Sequence, residues 1–279
     1  MIDKINKSGL YIHIPLCLSK CRYCDFYKVT PNKWIGTGNF LESLEIDLKN
    51  LPLAFTPISI FIGGGTPSAL TAGDYKELMN LIKKYVDTSL LQECTSEANP
   101  SSLDESKIET MLSTGINRLS LGIQSFNNKS LKLLGRNHNS KTAINAFEMA
   151  KKMGFRNINI DMIQSIPNMN QHEINNDLKV LFQLNPDHIS YYNLIYEPNT
   201  PITKDREKGK LKIINEDREE RIYFQIKSEL ESSGYNHYEI SNFAKKNKKC
   251  IHNLIYWKGD EYIGCGPSSH SHWKRKRFS

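Results

Sequence analysis

Six short runs rich in apolar and β-branched residues punctuate the chain before residue 200: Leu10–Ile14, Ile58–Ile62, Cys94–Ala98, Arg118–Ile123, Asn157–Ile163 and His188–Leu194. Each has Gly, Pro, Asn or Asp nearby, as a strand between turns does. Between them apolar residues recur at helical spacing. Tyr75, Leu78, Met79, Ile82 and Val86 make one stripe. Ile144, Phe147 and Met153 make a second, with Ser140 as its N-cap. Leu178, Leu181 and Phe182 mark a third, and Ile214, Ile222, Ile226 and Leu230 a fourth, closed by Gly234. This alternation predicts an α/β fold with a parallel sheet. About six βα units are too few for a closed eight-unit barrel and predict a partial (β/α)6 one. Reactive residues then belong at or just after the C-terminal ends of the strands. The polar stretch Glu197–Gly209 (EPNTPITKDREKG) reads as a loop or lid. Beyond Gly234 the pattern is irregular and aromatic-rich, so the expected division is 1–235 for the barrel and 236–279 for a short C-terminal extension.

Composition narrows the class. With 279 residues, 39% hydrophobic and 24% charged, the chain can build one large core or two small ones. Collagen, low-complexity disorder and a disulfide-dense mini-protein are excluded. No apolar stretch approaches the roughly 18–20 residues of a membrane helix. Met1 to Gly9 mixes Lys, Asp and Asn instead of the apolar run of a secretory signal. The expectation is a cytoplasmic protein. The net charge of +7 gathers late, in Lys245, Lys246, Lys248 and Lys249 and in Lys274–Arg275–Lys276–Arg277. Such a tail can bind nucleic acid or anionic lipid, but no recognition module accompanies it. A solvated end is expected, with no nucleic-acid partner and at most transient contact with a membrane surface.

Three of the six cysteines fall close together: Cys17, Cys21 and Cys24, spaced C-x3-C-x2-C directly after the first strand. In a cytoplasmic chain such a cluster argues for metal over disulfides. One reading is an iron–sulfur cube held by three thiolates, which leaves one iron open. The other is structural zinc with a Cys3His set that recruits His13 or a distant histidine. Tyr23, Phe26 and Tyr27 stand around the cysteines and are expected to shield them from water. A second constellation follows Ile62. Gly63–Gly64–Gly65–Thr66–Pro67 lets backbone approach a ligand closely. Glu97 in SEANP, Gln124 in LGIQSF and Arg136 in LLGRNH add polar groups near strand ends, and Asp161 in INIDMI lies inside an apolar strand.

The run GLYIHIPLCLSKCRYCDF, IFIGGGTPS, SEANP, GINRLSLGIQSF, LLGRNH, NINIDMI, HISYYNL, EPNTP, YEISNFA, HNLIYW and GCGPSSHS, in that order, resembles the radical S-adenosylmethionine (SAM) superfamily. Within it, the run resembles the branch that contains oxygen-independent coproporphyrinogen III oxidases and HemW-type heme chaperones. The resemblance implies that Cys17, Cys21 and Cys24 hold a [4Fe–4S] cluster whose open iron chelates SAM. It places Tyr11, Tyr23, Gly64, Gly65, Thr66, Glu97, Gln124, Arg136 and Asp161 where that branch contacts SAM.

Two features divide the branch. The oxidases carry a further cysteine two residues past the cluster motif, where this chain has Phe26, and an N-terminal extension that is absent here. HNLIYW matches the HNxxYW motif that the chaperones use for heme, which implies a heme site at His252, Asn253, Tyr256 and Trp257. His can supply an axial nitrogen, and Tyr and Trp can stack on a porphyrin. Read as residues alone, Tyr256 and Trp257 fit a core, and His252 fits a hydrogen-bonded surface position. His270 in GPSSHS is a second heme candidate by resemblance. The chain departs from the branch at Gln164 and Ser165, where a glycine-containing pair is usual, and at Ser268, where Gly is common. The branch also continues into a helical C-terminal domain that these residues do not include. The leading expectation is a protein that binds heme and delivers it to an apo-hemoprotein. The alternatives are the oxidase, which decarboxylates coproporphyrinogen by radical chemistry, and a shortened, inactive relative.

Overall fold

The structure is a computed structural model that describes residues 7–53 and 55–279. Met1–Asn6, most of the charged N-terminal run, lie outside the described residues. All six predicted strands form: β1 (Ser8–Ile14), β2 (Ser59–Gly64), β3 (Glu93–Ala98), β4 (Arg118–Gln124), β5 (Ile158–Gln164) and β6 (His188–Asn193). Each pairs parallel with the next. The crossovers carry α1 (Thr37–Lys49), α2 (Ala72–Tyr85), α3 (Glu105–Ser113), α4 (Asn128–Leu134), α5 (Ser140–Met153) and α6 (Gln171–Leu184). The cap of α5 is Asn139, whose side chain accepts from Thr142 N, so Ser140 is the first helical residue instead of the cap.

Glu197–Gly209 is not an open loop. Thr200 caps and Pro201 opens a short helix, α7 (Pro201–Glu207), because proline at the first helical position gives up no hydrogen bond. The fourth predicted stripe becomes α8 (Glu216–Ser232), capped by Asn215, so Ile214 lies just ahead of it. The stretch beyond Gly234 is more regular than its pattern predicts. It forms β7 (Asn236–His237), β8 (Asn242–Ala244), α9 (Ile251–Lys258), β9 (Glu261–Cys265), β10 (Ser271–Trp273) and β11 (Lys276–Phe278).

One open sheet results, in the order β11-β10-β9-β1-β2-β3-β4-β5-β6-β8-β7. Segment 236–279 extends both ends of it: β8 runs antiparallel to β6, and β9 runs parallel to β1. The sheet is two-faced. Leu10, Ile12, Ile14, Ile60, Ile62, Leu119 and Leu121 are fully buried in the main core with Leu78 and Ile82 of α2. Each such side chain contributes about 1.5–3 kcal/mol. The alternate positions, Arg118, Ser120, Asn159, Asp161 and Ser190, line the lumen instead. No helix of the described residues is long and apolar enough to cross a membrane.

Candidate functional site

The cysteine loop is clamped at several points. Cys17 N donates to Val29 O at 2.9 Å, and Val29 N donates to Pro15 O at 2.8 Å. Arg22 N donates to Leu134 O, Ile202 N of α7 donates to Arg22 O, and the Arg22 guanidinium pairs with Asp205. The loop therefore rests on the end of α4 and on α7. Each thiol meets a donor: Thr66 Oγ1 stands 3.4 Å from Cys17 Sγ, Arg136 donates to Cys21 Sγ at 3.1 Å, and Lys28 Nζ donates to Cys24 Sγ at 3.3 Å. Two cations and a hydroxyl beside three sulfurs suit thiolates on one anionic inorganic group.

A single metal ion suits the site less well. Zinc holds sulfur at about 2.3 Å, and no group of three His, Cys, Asp or Glu side chains among the described residues stands close enough for one ion. His13 is also engaged, its Nδ1 with Tyr11 Oη at 3.1 Å and its Nε2 with Tyr27 O at 3.0 Å. The expected aromatic shield is incomplete. Tyr23 packs against the core, but Phe26 is 66% and Tyr27 50% exposed.

The glycine loop docks beneath the cysteines. Gly65 N donates to Ile14 O and Thr66 N to Leu16 O, both at 2.7 Å. Gly64 has φ +105°, and a Cβ there would stand 2.6 Å from the His13 ring. Glu97 accepts from Gly64 N at 3.2 Å. Burial first, then the nearby Asp161, pushes its carboxyl up to about 8. Arg136 follows α4 and joins two elements by donating to Gly122 O at 2.6 Å as well as to Cys21. Gln124 ends β4 at a register shift with φ +75°. Asp161 lies inside its strand, as its place in INIDMI predicts. It sits in the middle of β5, where it accepts from Ser120 at 3.0 Å and Asn159 at 2.9 Å. Ser165 and Ser268, standing where the branch favours glycine, both have φ near +60°. A non-glycine residue there carries strain on the order of 1 kcal/mol.

The HNLIYW segment forms α9 at the opposite end of the barrel. His252 packs against Gly9 and Ser59, the starts of β1 and β2, and Glu93 at the start of β3 accepts from Ile251 N and His252 N. His252 is 1% exposed and is no surface residue, whereas Tyr256 is 42% and Trp257 53% exposed and are not core aromatics. Ser59 Oγ lies 2.8 Å from His252 Nδ1, and Tyr256 Oη lies 2.8 Å from Nε2. Burial holds His252 neutral, pulled down to about 3. Asn253 makes a long contact with Tyr238 Oη at 3.4 Å. His270 is exposed in the turn between β9 and β10.

A cavity of about 180 Å³ joins the two ends. Its wall includes Tyr11, Glu97 and Asp161 together with His252, Asn253 and Tyr256. It also includes Arg118, Ser120, Asn159, Ser190 and Tyr192, which the sequence reading passed over. Their signal was present in RLSLGIQ, INIDMIQ and HISYYN, where polar residues alternate with apolar ones. That period of two marks a strand with a polar face.

The geometry places three cysteines and a glycine loop at the C-terminal end of a parallel half-barrel with a polar lumen, and the family comparison agrees. Residues 11–181 match the Radical SAM superfamily, so the chain belongs to that superfamily. It is 41% identical over 270 residues to the heme chaperone HemW of Buchnera aphidicola (subspecies Schizaphis graminum), covering 96% of this chain and 70% of the relative. It is 35% identical to HemW of Escherichia coli, with the same coverages. Within the superfamily the chain belongs to the HemW family. The fold also matches coproporphyrinogen III oxidase (HemN) from Escherichia coli with a TM-score of 0.82 at 23% identity, over 95% of this chain and 64% of the oxidase.

Proposed function

We propose that this protein binds heme and passes it to an apo-hemoprotein in the cytoplasm, with a [4Fe–4S] cluster on Cys17, Cys21 and Cys24. SAM would lie against Tyr11, Tyr23, Gly64, Gly65, Thr66, Glu97, Gln124, Arg136 and Asp161. When bound, the cluster and SAM supply a reducible centre. Delivery of an intact heme breaks no carbon bond, so the pair would serve as a structural element or a switch.

The observation that carries the reading is the state of His252. A metal-binding histidine has one ring nitrogen fixed by a partner and the other available. With its proton on Nδ1, His252 donates to Ser59, and only the half-exposed Tyr256 hydroxyl holds Nε2. Rotation of that one side chain frees a neutral imidazole lone pair beside the exposed faces of Tyr256 and Trp257, with Asn253 on the cavity side. Phe26, at the position of the oxidases' extra cysteine, supports the same reading.

The test is an anaerobic heme titration of the cluster-loaded protein, followed by its Soret band. A saturable one-to-one signal that weakens in His252→Ala is expected. No specific binding, together with formation of protoporphyrinogen and 5′-deoxyadenosine from coproporphyrinogen, SAM and reductant, would replace the chaperone reading with the oxidase. Cluster loading with neither result would indicate an inactive relative.

A further inference from the structure

The lumen contains a buried guanidinium with no direct hydrogen-bonded or ion-paired partner among the described residues. Arg118, the first residue of β4, is 2% exposed and faces the 180 Å³ cavity. Among the described residues its guanidinium has no hydrogen bond or ion pair, and its Nε is buried with no partner. A buried guanidinium whose N–H groups have no direct acceptor is an unfavourable arrangement for a fold to keep. The acids whose fields reach Arg118 are already engaged. Glu93 accepts from Cys250, Ile251 and His252 at the start of α9, and Asp161 accepts from Ser120 and Asn159. The register sets Arg118 beside Thr95, one step below the Glu97–Ser120 pair. The guanidinium therefore stands at the floor of a polar well whose upper wall is Tyr11, Glu97, Asp161 and Tyr192.

We infer that the lumen is a carboxylate-binding site anchored by Arg118. A guanidinium presents parallel N–H groups that match both oxygens of a carboxylate, and such pairs are among the stronger hydrogen-bonded contacts in proteins. The size of the well limits what can enter. Its 180 Å³ falls below the roughly 300–1,000 Å³ of a pocket for a drug-sized ligand. A carboxylate on a chain of a few carbons fits, and a macrocycle does not. The carboxylate is either a free short-chain acid or one carboxylate arm of a larger molecule whose body stays outside the well. The site goes beyond the heme reading and does not depend on it.

The probe is sodium propionate, added to the full-length, cluster-loaded protein and compared with sodium chloride at equal ionic strength. A ligand that binds only the folded state raises the melting temperature saturably, so a response is expected well below about 100 mM. Arg118→Met should abolish the rise, and Arg118→Lys, which keeps the charge but loses the fork, should weaken binding at least about tenfold. No saturable rise in the wild type, or an equal rise in Arg118→Met, overturns the proposal. Should Arg118→Met fail to fold, propionamide added to the wild type replaces it. This uncharged molecule of the same shape must give no rise, and an equal rise overturns the proposal. Heme separates the two sources. Competition by propionate, with binding of heme dimethyl ester insensitive to it, supports the arm of a larger ligand. Propionate binding that leaves heme uptake unchanged supports a free acid at the same site. A failed propionate titration with normal heme uptake rejects the carboxylate site alone.

Discussion

The Tyr256 hydroxyl is a direct way to ask whether His252 Nε2 reaches heme iron. Any ligand of that nitrogen must first displace the phenol, which stands 2.8 Å away. A neutral hydrogen bond of this kind contributes about 0.5–1.5 kcal/mol net. Tyr256→Phe keeps the ring and removes that competitor, so heme binding should tighten by about 1 kcal/mol, roughly fivefold in Kd. Ser59→Ala should act in the opposite direction. It removes the partner 2.8 Å from Nδ1, and loss of such outer-shell support typically weakens metal binding by about 10–100-fold. Burial keeps His252 neutral down to about 3, so binding needs no prior loss of a proton and heme affinity should stay flat between about pH 6 and 8. The assay is an anaerobic Soret titration of wild type and both variants, with circular dichroism to confirm folding. Weaker or unchanged binding in Tyr256→Phe, or no loss in Ser59→Ala, would refute the assignment of Nε2.

Three further outcomes follow from the same geometry. The Glu97 carboxyl is raised from 4.5 to about 8 in the fold, so the folded chain keeps a proton that the unfolded chain releases. Stability of the cofactor-free protein should fall as pH rises from about 4.5 to 8, by at most about 5 kcal/mol. Glu97→Gln should remove that slope in urea denaturation, and a slope like that of the wild type would count against the buried acid. Arg22→Ala releases the cysteine loop from Asp205 on α7; both partners are partly exposed, so the melting point should barely move, while a chelator should strip the cluster several-fold faster. Ser165→Gly relieves a residue at φ +60° and should raise stability by about 0.5–1 kcal/mol; an unchanged melting point would show that Ser165 carries no strain.

The parts of the fold legible in the sequence were those with strong local patterns. The β-branched strands and the stripe on α2 needed no tertiary help. Helix α1 was missed although Phe40, Leu44 and Leu48 lie on one face, because Gly36 gives it no capping side chain. Strand β9 was missed because it is short, and only Ile263 and Cys265 in it are buried. Its identity comes from pairing with the edge of β1, which no local window contains. Helix α7 was hidden by charge and by two prolines, although Thr200–Pro201 is itself a start signal. In the site, the cysteines and glycines were legible because their spacing is itself the chemistry. Arg118 was not, because a single arginine opening a predicted strand has no spacing partner that marks it as part of a site. The depth of His252 was also not legible, since it depends on α9 folding back under β1, β2 and β3.

The two ends of the barrel are joined by a continuous chain of side chains, and that makes coupling measurable. His13 contacts the cradle of Gly64 and bonds Tyr11. Tyr11 stacks on Phe61 with centroids 6.2 Å apart, and Phe61 lies 5.3 Å from His252. Spatial continuity alone is no proof of coupling, but it names the residue to change. If a group bound at the glycine loop shifts Tyr11, the shift reaches His252 through Phe61. The ratio of heme Kd with and without SAM then measures a coupling free energy, and linkage requires heme to change SAM affinity by the same factor. Phe61→Leu keeps bulk and loses the flat face that touches both neighbours, so it should bring that ratio toward one while leaving the cluster spectrum intact. A wild-type ratio far from one that Phe61→Leu does not alter would show that coupling bypasses the aromatic stack. A wild-type ratio of one would show that the two ends act independently.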